Sequence, residues 1–189
     1  NWFLKINVDV KPFDNVNLRK AINAAIDREA IITAALNGFG RESISCVPMG
    51  YAESTKENAV AYSLDKAKAY LKAWGGNSAS VTIPIICSND LKVRIATIIQ
   101  ANLADIGIKA EIVAMDFATY LDKMSKGDFV SAIQSWSPSN ALTYLQRFHS
   151  KRRAGNPGSL NSPEVDALVE KAESTIDPKV RTDILQDII

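Results

Sequence analysis

A ligand could be held at three short stretches, Cys87-Ser88-Asn89, Ala114-Met115-Asp116 and Trp136-Ser137-Pro138-Ser139-Asn140, of which the first and third group small hydroxyl and amide side chains. Ser88, Asn89, Ser137, Ser139 and Asn140 offer neutral hydrogen-bonding groups, and Trp136 offers an aromatic face. Such a set suits a small polar solute held by hydrogen bonds and stacking. The same residue types are also ordinary in turns, so a purely structural reading stands beside the ligand reading. Trp136 reads equally as a core side chain, and Asp116 is better explained as a helix cap.

Catalytic groups are scarce. His149 is the sole histidine, and its neighbour Ser150 has no acid nearby in sequence to orient the ring. A nucleophile–base pair needs that third group, so His149 reads as a surface residue at a helix end. Cys46 and Cys87 lack C-x-x-C spacing, which supports neither a zinc site nor a redox pair. Both are expected as free thiols, Cys87 buried, with a bridge between them left open. No metal and no cofactor is expected. Gly75-Gly76 follows a helical stretch instead of opening one, so no phosphate-binding glycine loop is present. Lys151-Arg152-Arg153 is a short basic run that reads as a solvated loop.

The elements that would position these residues follow from periodicity. The strand ends named above matter because open α/β sheets bind ligands outside the carboxyl ends of their strands. Leu4, Ile6, Val8 and Val10 alternate with polar residues, which predicts a strand ended by Pro12. Leu18, Ile22, Ala25 and Ile26 have helical spacing; Asp27 caps a second helix through Leu36 that Gly38 stops. The stretch from 40 to 58 has no period and reads as a long loop. Ser63 caps a helix ended by Gly75. Val81–Cys87, Ile108–Ala114 and Phe129–Trp136 predict strands separated by helices over Ile95–Ile106 and Phe117–Met124. This βαβαβ order with short connections implies parallel strands. Beyond Trp136 come a short helix at Leu142–Phe148 and a polar loop over Lys151–Asn161. Two further helices begin at Ser162-Pro163 and Asp177-Pro178.

The chain has 189 residues, with 22 Lys+Arg against 21 Asp+Glu, a formal net charge of +1. That balance gives no bulk-charge basis for a nucleic-acid partner. No apolar run approaches the roughly 18 residues a membrane span needs. The strand-like start and the uncapped apolar end at Ile188-Ile189 read as a piece cut from a longer protein.

Several motifs in order carry a resemblance. Pro12-Phe13-Asp14-Asn15-Val16-Asn17-Leu18-Arg19-Lys20-Ala21-Ile22, continuing through Ala25-Ile26-Asp27-Arg28-Glu29-Ala30-Ile31, resembles a signature of family 5 extracellular solute-binding proteins. Val47-Pro48-Met49-Gly50-Tyr51 and Tyr62-Ser63-Leu64-Asp65-Lys66-Ala67-Lys68 are similar to a loop and a helix of that family. So are Ile98–Lys109, Asp128–Trp136 and Asn161-Ser162-Pro163-Glu164-Val165-Asp166-Ala167-Leu168. These are the oligopeptide/dipeptide-type receptors of ABC importers.

The resemblance implies an α/β lobe of the type II periplasmic-binding-protein kind: a mixed sheet with a parallel βαβαβ core flanked by helices. Residues 1–189 would be the second ligand-binding lobe of a two-lobed receptor, truncated at both ends. It implies no catalysis. It also implies a monomer outside the cytoplasmic membrane, in the periplasm or as a cell-surface lipoprotein. Such a receptor captures a small-molecule or peptide ligand and passes it to an ABC permease in the membrane; nucleic acid is not a partner. The ligand-binding residues would be Trp136, Ser137, Ser139, Asn140, Ser88 and Asn89. Peptide-binding members often place an aspartate where this chain has Ser139, and dipeptide-binding members an arginine where it has Ile86. Both charged anchors of a short peptide are therefore missing at their usual positions. A flavodoxin-like small-molecule enzyme and a helical interaction or regulatory module are the alternatives.

Overall fold

The N-terminal alternating segment forms an edge strand, β1 (Trp2–Ile6), followed by α1 (Val16–Ala25), α2 (Arg28–Ala34) and α3 (Leu64–Trp74). Then come β2 (Thr82–Cys87), α4 (Asp90–Ala104), β3 (Lys109–Ala114), α5 (Phe117–Lys126) and β4 (Ser131–Ser135). After these lie α6 (Ala141–Leu145), α7 (Pro163–Ser174) and α8 (Pro178–Ile188). The computed structural model describes residues 1–43, 47, 51, 53–54, 61–137 and 139–188. Most of the stretch expected as a long loop, including Cys46, Pro48 and Gly50, lies outside them. The chain divides into two units: Trp2–Glu42 with Val60–Gln134, and Asn1 with Ser43–Ala59 and Ser135–Ile189.

The first unit is built on a sheet of order β1-β4-β2-β3. Strand β2 pairs in parallel with β3, Thr82 opposite Lys109 through Cys87 opposite Ala114, and in parallel with β4 at Ile85–Ser131 and Ile86–Ala132. The expected parallel core is therefore present. At the β1 edge Asn7 N–H donates to Val130 O, and Asn1 and Trp136 exchange backbone bonds, an antiparallel pattern that makes the sheet mixed.

Central strand β2 is covered on both faces, which is why its sequence is nearly all apolar. Ile83, Ile85 and Cys87 pack with Ala110, Ile133, Leu18 and Ile22 of α1, Ala67 of α3, and Ile95, Ile99 and Leu103 of α4. Ile86 points to the other face, with Ala132, Phe129, and Tyr120 and Met124 of α5. Each fully buried Ile or Leu in this core contributes about 1.5–3 kcal/mol of transfer free energy. Helix ends are set by local chemistry. Asn15, Asp27, Ser63, Asn89 and Asp116 accept backbone N–H bonds as N-caps, and α3 and α5 end at glycines 75 and 127 in the left-handed region.

One strand is shorter than its pattern predicts. Alternation runs to Val10, but β1 stops at Ile6. The Asn7 side chain accepts from Asp9 N–H at 3.0 Å, and its amide donates to Gly127 O at 3.1 Å and Phe129 O at 3.0 Å. That local turn diverts the backbone before Pro12 is reached. Strand β4 likewise starts at Ser131, two residues later than expected.

In the second unit α6, α7 and α8 enclose Val47, Ala141, Tyr144, Leu145, Ala172, Ile184 and Leu185. Ser162 caps α7 with Pro163 at its first position, as the sequence predicts, and Asp177 accepts from Val180 N–H to open α8. The expected polar loop after His149 begins instead as a 3-10 helix over Ser150–Gly155. No helix among the described residues is long and apolar enough to cross a membrane.

Candidate ligand-binding site

In the first unit the carboxyl end of β2 delivers Ser88 and Asn89 directly into the start of α4. Asn89 is exposed, and its Oδ1 accepts from Lys92 N–H at 3.0 Å, so that oxygen is held by the cap. Ser88 is half-buried, and its Oγ accepts a 2.9 Å bond from Lys92 Nζ. Lys92 is 6% exposed, and its ammonium lies 3.8 Å from the centroid of the Tyr120 ring. Tyr120 in turn donates its hydroxyl to Ile133 O at 2.9 Å.

Burial governs the titration of this cluster. It pushes the Cys87 thiol up to about 11, against the opposing effect of the Lys92 ammonium. It pushes Tyr120 up to about 12, with Cys87 adding to the rise. It lowers Lys92, while Cys87 raises it. Both Cys87 and Tyr120 are therefore neutral near pH 7, and neither is an activated nucleophile. Cys87 is a buried free thiol, as expected. Asp116, at the end of β3, is exposed and caps α5. The Thr119 hydroxyl and N–H hold its carboxyl below the usual range.

Lys92 is the residue that the sequence reading passed over. It lies three and four residues before Ile95 and Ala96, on the buried stripe that continues to Ile99 and Leu103. A lysine on the apolar face of a helix was the available signal.

The second unit holds the other four expected residues. Trp136 is half-buried; its ring stacks on Tyr144 with centroids 5.2 Å apart, and the Arg147 guanidinium lies 4.4 Å from its centroid. Ser137, Ser139 and Asn140 are exposed. Asn140 is the N-cap of α6: its Oδ1 accepts from Thr143 N–H at 2.8 Å and the Thr143 hydroxyl at 3.0 Å, and its amide donates to Ser139 Oγ at 3.4 Å. Thus the two groups of expected residues fall in different units, Ser88 and Asn89 in one and Trp136, Ser137, Ser139 and Asn140 in the other.

His149 is not the surface residue its sequence position suggests: it is 4% exposed. Asp166 and Glu170, one turn apart on α7, enclose it. Nδ1 accepts the Lys151 N–H at 3.1 Å, which places the ring proton on Nε2, 3.2 Å from Glu170 Oε1. Ser150 donates both its N–H and its hydroxyl to Asp166, so its proton is directed at a carboxylate instead of the imidazole. The Ser150 hydroxyl holds Asp166 below the usual range, and Lys151 does the same for Glu170. Lys151 and Arg152 pair with Glu170 and Glu173, so these two members of the basic run are tied to α7 and not simply solvated. This network fastens α7 to the segment before it and contains no nucleophile–base pair. Among the described residues no group of three His, Cys, Asp or Glu side chains is placed to hold a metal.

Comparison with known proteins bears on both units. Heme-binding protein A of Haemophilus influenzae is 30% identical over 182 residues, covering 90% of this chain and 33% of its own length. The dipeptide-binding protein of Escherichia coli K12 is 28% identical over 195 residues, 96% of this chain and 36% of its own. Among solved structures, the periplasmic binding protein AgaA of A. tumefaciens R10, in complex with agropinic acid, superposes with a TM-score of 0.89 at 27% identity, over 100% of this chain and 40% of that one. The chain thus spans about a third of the length of the curated relatives it matches. Residues 1–156 match the family described as bacterial extracellular solute-binding proteins, family 5, middle region. A match over most of the chain, through sheet and helices alike, establishes that this chain belongs to the family 5 extracellular solute-binding proteins.

Proposed function

We propose that this chain is the second ligand-binding lobe of a two-lobed receptor for an ABC importer. The receptor captures a small solute outside the cytoplasmic membrane, in the periplasm or as a cell-surface lipoprotein, and delivers it to a membrane permease. The observation that carries this reading is the family match over residues 1–156. The receptor acts as a monomer, without catalysis or nucleic acid. A peptide is the leading ligand class, since one relative at 28% identity is a dipeptide-binding protein. The relatives' names also include heme and agropinic acid, so the ligand has to be read from this chain's own anchors.

The ligand-binding set proposed in this lobe is Trp136, Ser137, Ser139 and Asn140 with Ser88 and Asn89. A free α-ammonium in a closed cleft needs a carboxylate partner, because an unpaired buried charge costs several kcal/mol. Ser139 is neutral, as are its neighbours Ser137 and Asn140, so the ligand is not held here by an amino terminus. The test is calorimetric titration of the full-length receptor with matched peptides, N-acetylated and free. Binding that survives acetylation, and a Ser139→Asp variant with no gain in affinity, are the expected results. Loss of binding on acetylation, with the ammonium docked beside Ser139, overturns the anchor assignment; failure to retain any small solute overturns the receptor reading.

A further inference from the structure

We propose that Lys92 and the Ser88 hydroxyl form an anion-holding subsite at the carboxyl end of β2 that takes a carboxylate of the captured solute. This assignment rests on the receptor reading and adds the chemical class of one ligand group.

Four observations lead to it. First, Lys92 is 6% exposed, a rare state for a lysine, and it occupies a helix face otherwise apolar from Ile95 to Leu103. Second, its ammonium has no carboxylate partner among the described residues: its contacts are the Ser88 Oγ at 2.9 Å and the Tyr120 ring face at 3.8 Å. A hydroxyl and a π-face orient an ammonium but do not neutralise it, and one of its three hydrogens is left over. Third, the Ser88 oxygen is engaged as acceptor, while its own hydrogen reaches no acceptor among the described residues. Asn89 is in the same condition, with Oδ1 held by the cap and its amide hydrogens without a partner there. The end of β2 therefore presents hydrogens from three side chains, which suits a carboxylate and disfavours a second cation. Fourth, the group sits just beyond the carboxyl end of a central parallel strand, where open α/β sheets take their ligands.

A purely structural lysine here would be a poor choice. A buried ammonium lacking a counter-ion costs several kcal/mol that an isosteric apolar side chain would not. The cost is offset when an anion arrives. Removing the charge should therefore leave the ligand-free protein no less stable, yet weaken binding of acids.

The probe is a tryptic digest of casein, used as free acids and after methyl esterification of all carboxyl groups. Full-length receptor and its Lys92→Met variant are each equilibrated with both pools, and retained peptides are counted by native mass spectrometry. The wild-type protein is expected to retain free acids over esters by roughly tenfold or more, the size of one charge-assisted hydrogen bond. Lys92→Met should lose that preference with an unlowered melting temperature. As a readout independent of the variant's folding, the Lys92 13Cε resonance of the wild-type protein should shift with the acid pool and not with the ester pool. Equal retention of acids and esters by the wild type overturns the Lys92 assignment while leaving the receptor reading intact. An acid preference kept by Lys92→Met overturns it too, because a group other than Lys92 then holds the carboxylate. Retention of neither pool by the wild type overturns both.

Discussion

Replacing Asn7 tests why the first strand ends where it does. Its side chain is 3% exposed and makes three hydrogen bonds, two donated to Gly127 O and Phe129 O and one accepted from Asp9 N–H. An Asn7→Ala variant deletes all three and leaves the Asp9 N–H and two carbonyls without that partner. At about 1 kcal/mol net per bond the loss is about 3 kcal/mol, a large share of a typical domain's stability. An Asn7→Asp variant separates donor from acceptor. It keeps the oxygen facing Asp9 N–H but turns the two donors into a carboxylate oxygen facing two carbonyls. At neutral pH Asn7→Asp should therefore be at least as unstable as Asn7→Ala. Its introduced carboxyl would have a folded-state pKa raised above its unfolded value, because the neutral form can donate one bond back. Stability is then recovered as pH falls below that raised value, while Asn7→Ala shows no such recovery. Urea unfolding followed by circular dichroism at two pH values measures both variants. The reasoning fails if Asn7→Ala costs less than about 0.5 kcal/mol, below the expected contribution of even one of these bonds. It fails equally if Asn7→Asp matches the wild type at neutral pH.

Other outcomes follow from named contacts. Leu103→Ala, at a fully buried position of α4, should cost about 3 kcal/mol in urea unfolding. The Cys87 thiol, pushed from 9.0 up to about 11 by burial, should react with a disulfide reagent at pH 8 on the order of a hundredfold more slowly than an ordinary thiol, and rapidly once unfolded. Measured in a Cys46→Ala background, fast native-state labelling would contradict this. Asp166 and Glu170 are held below the usual carboxylate range, so the stability they give is present above their unfolded pKa and is lost as pH falls through the lower folded values. Melting temperature should drop on acidification in the wild type and drop less in Asp166→Asn.

How far the fold was legible can be seen element by element. β2 and β3 follow from unbroken apolar or alternating runs, and the caps Ser63, Asp116 and Ser162 are residues whose short side chains compete for backbone N–H groups wherever they stand. These are local signals, and they were readable. The end of β1 was not, because it depends on carbonyls at Gly127 and Phe129, some 120 residues away in the chain. The burial of His149 is hidden in the sequence for the same reason: the carboxylates that meet its ring are on α7. Asp166 and Glu170 are spaced to share one helix face, but nothing in that spacing says what the face covers.

The sequence names the proposed site as residues and not as atoms, and that difference decides its chemistry. Counting Asn89 and Asn140 as ligand groups treats each as a full set of donors and acceptors, and leaves Asp116 alone as a cap. In the structure each has an oxygen committed to a helix cap. Asn140 is engaged further, through the Thr143 hydroxyl and Ser139, so it contributes mainly by fixing where α6 starts. Asn89 keeps only its amide hydrogens. A strand that runs directly into a helix imposes this pattern, because the residue best placed to meet a ligand is also the one the first helical turn needs as its acceptor. What remains at the end of β2 is rich in donors, and the one ionised group among them, Lys92, lies inside the apolar stripe where composition-based reasoning does not search. Selectivity for the charge of a solute can therefore reside in a helix residue three positions beyond the cap, while the cap oxygen holds the first helical turn in place beside it.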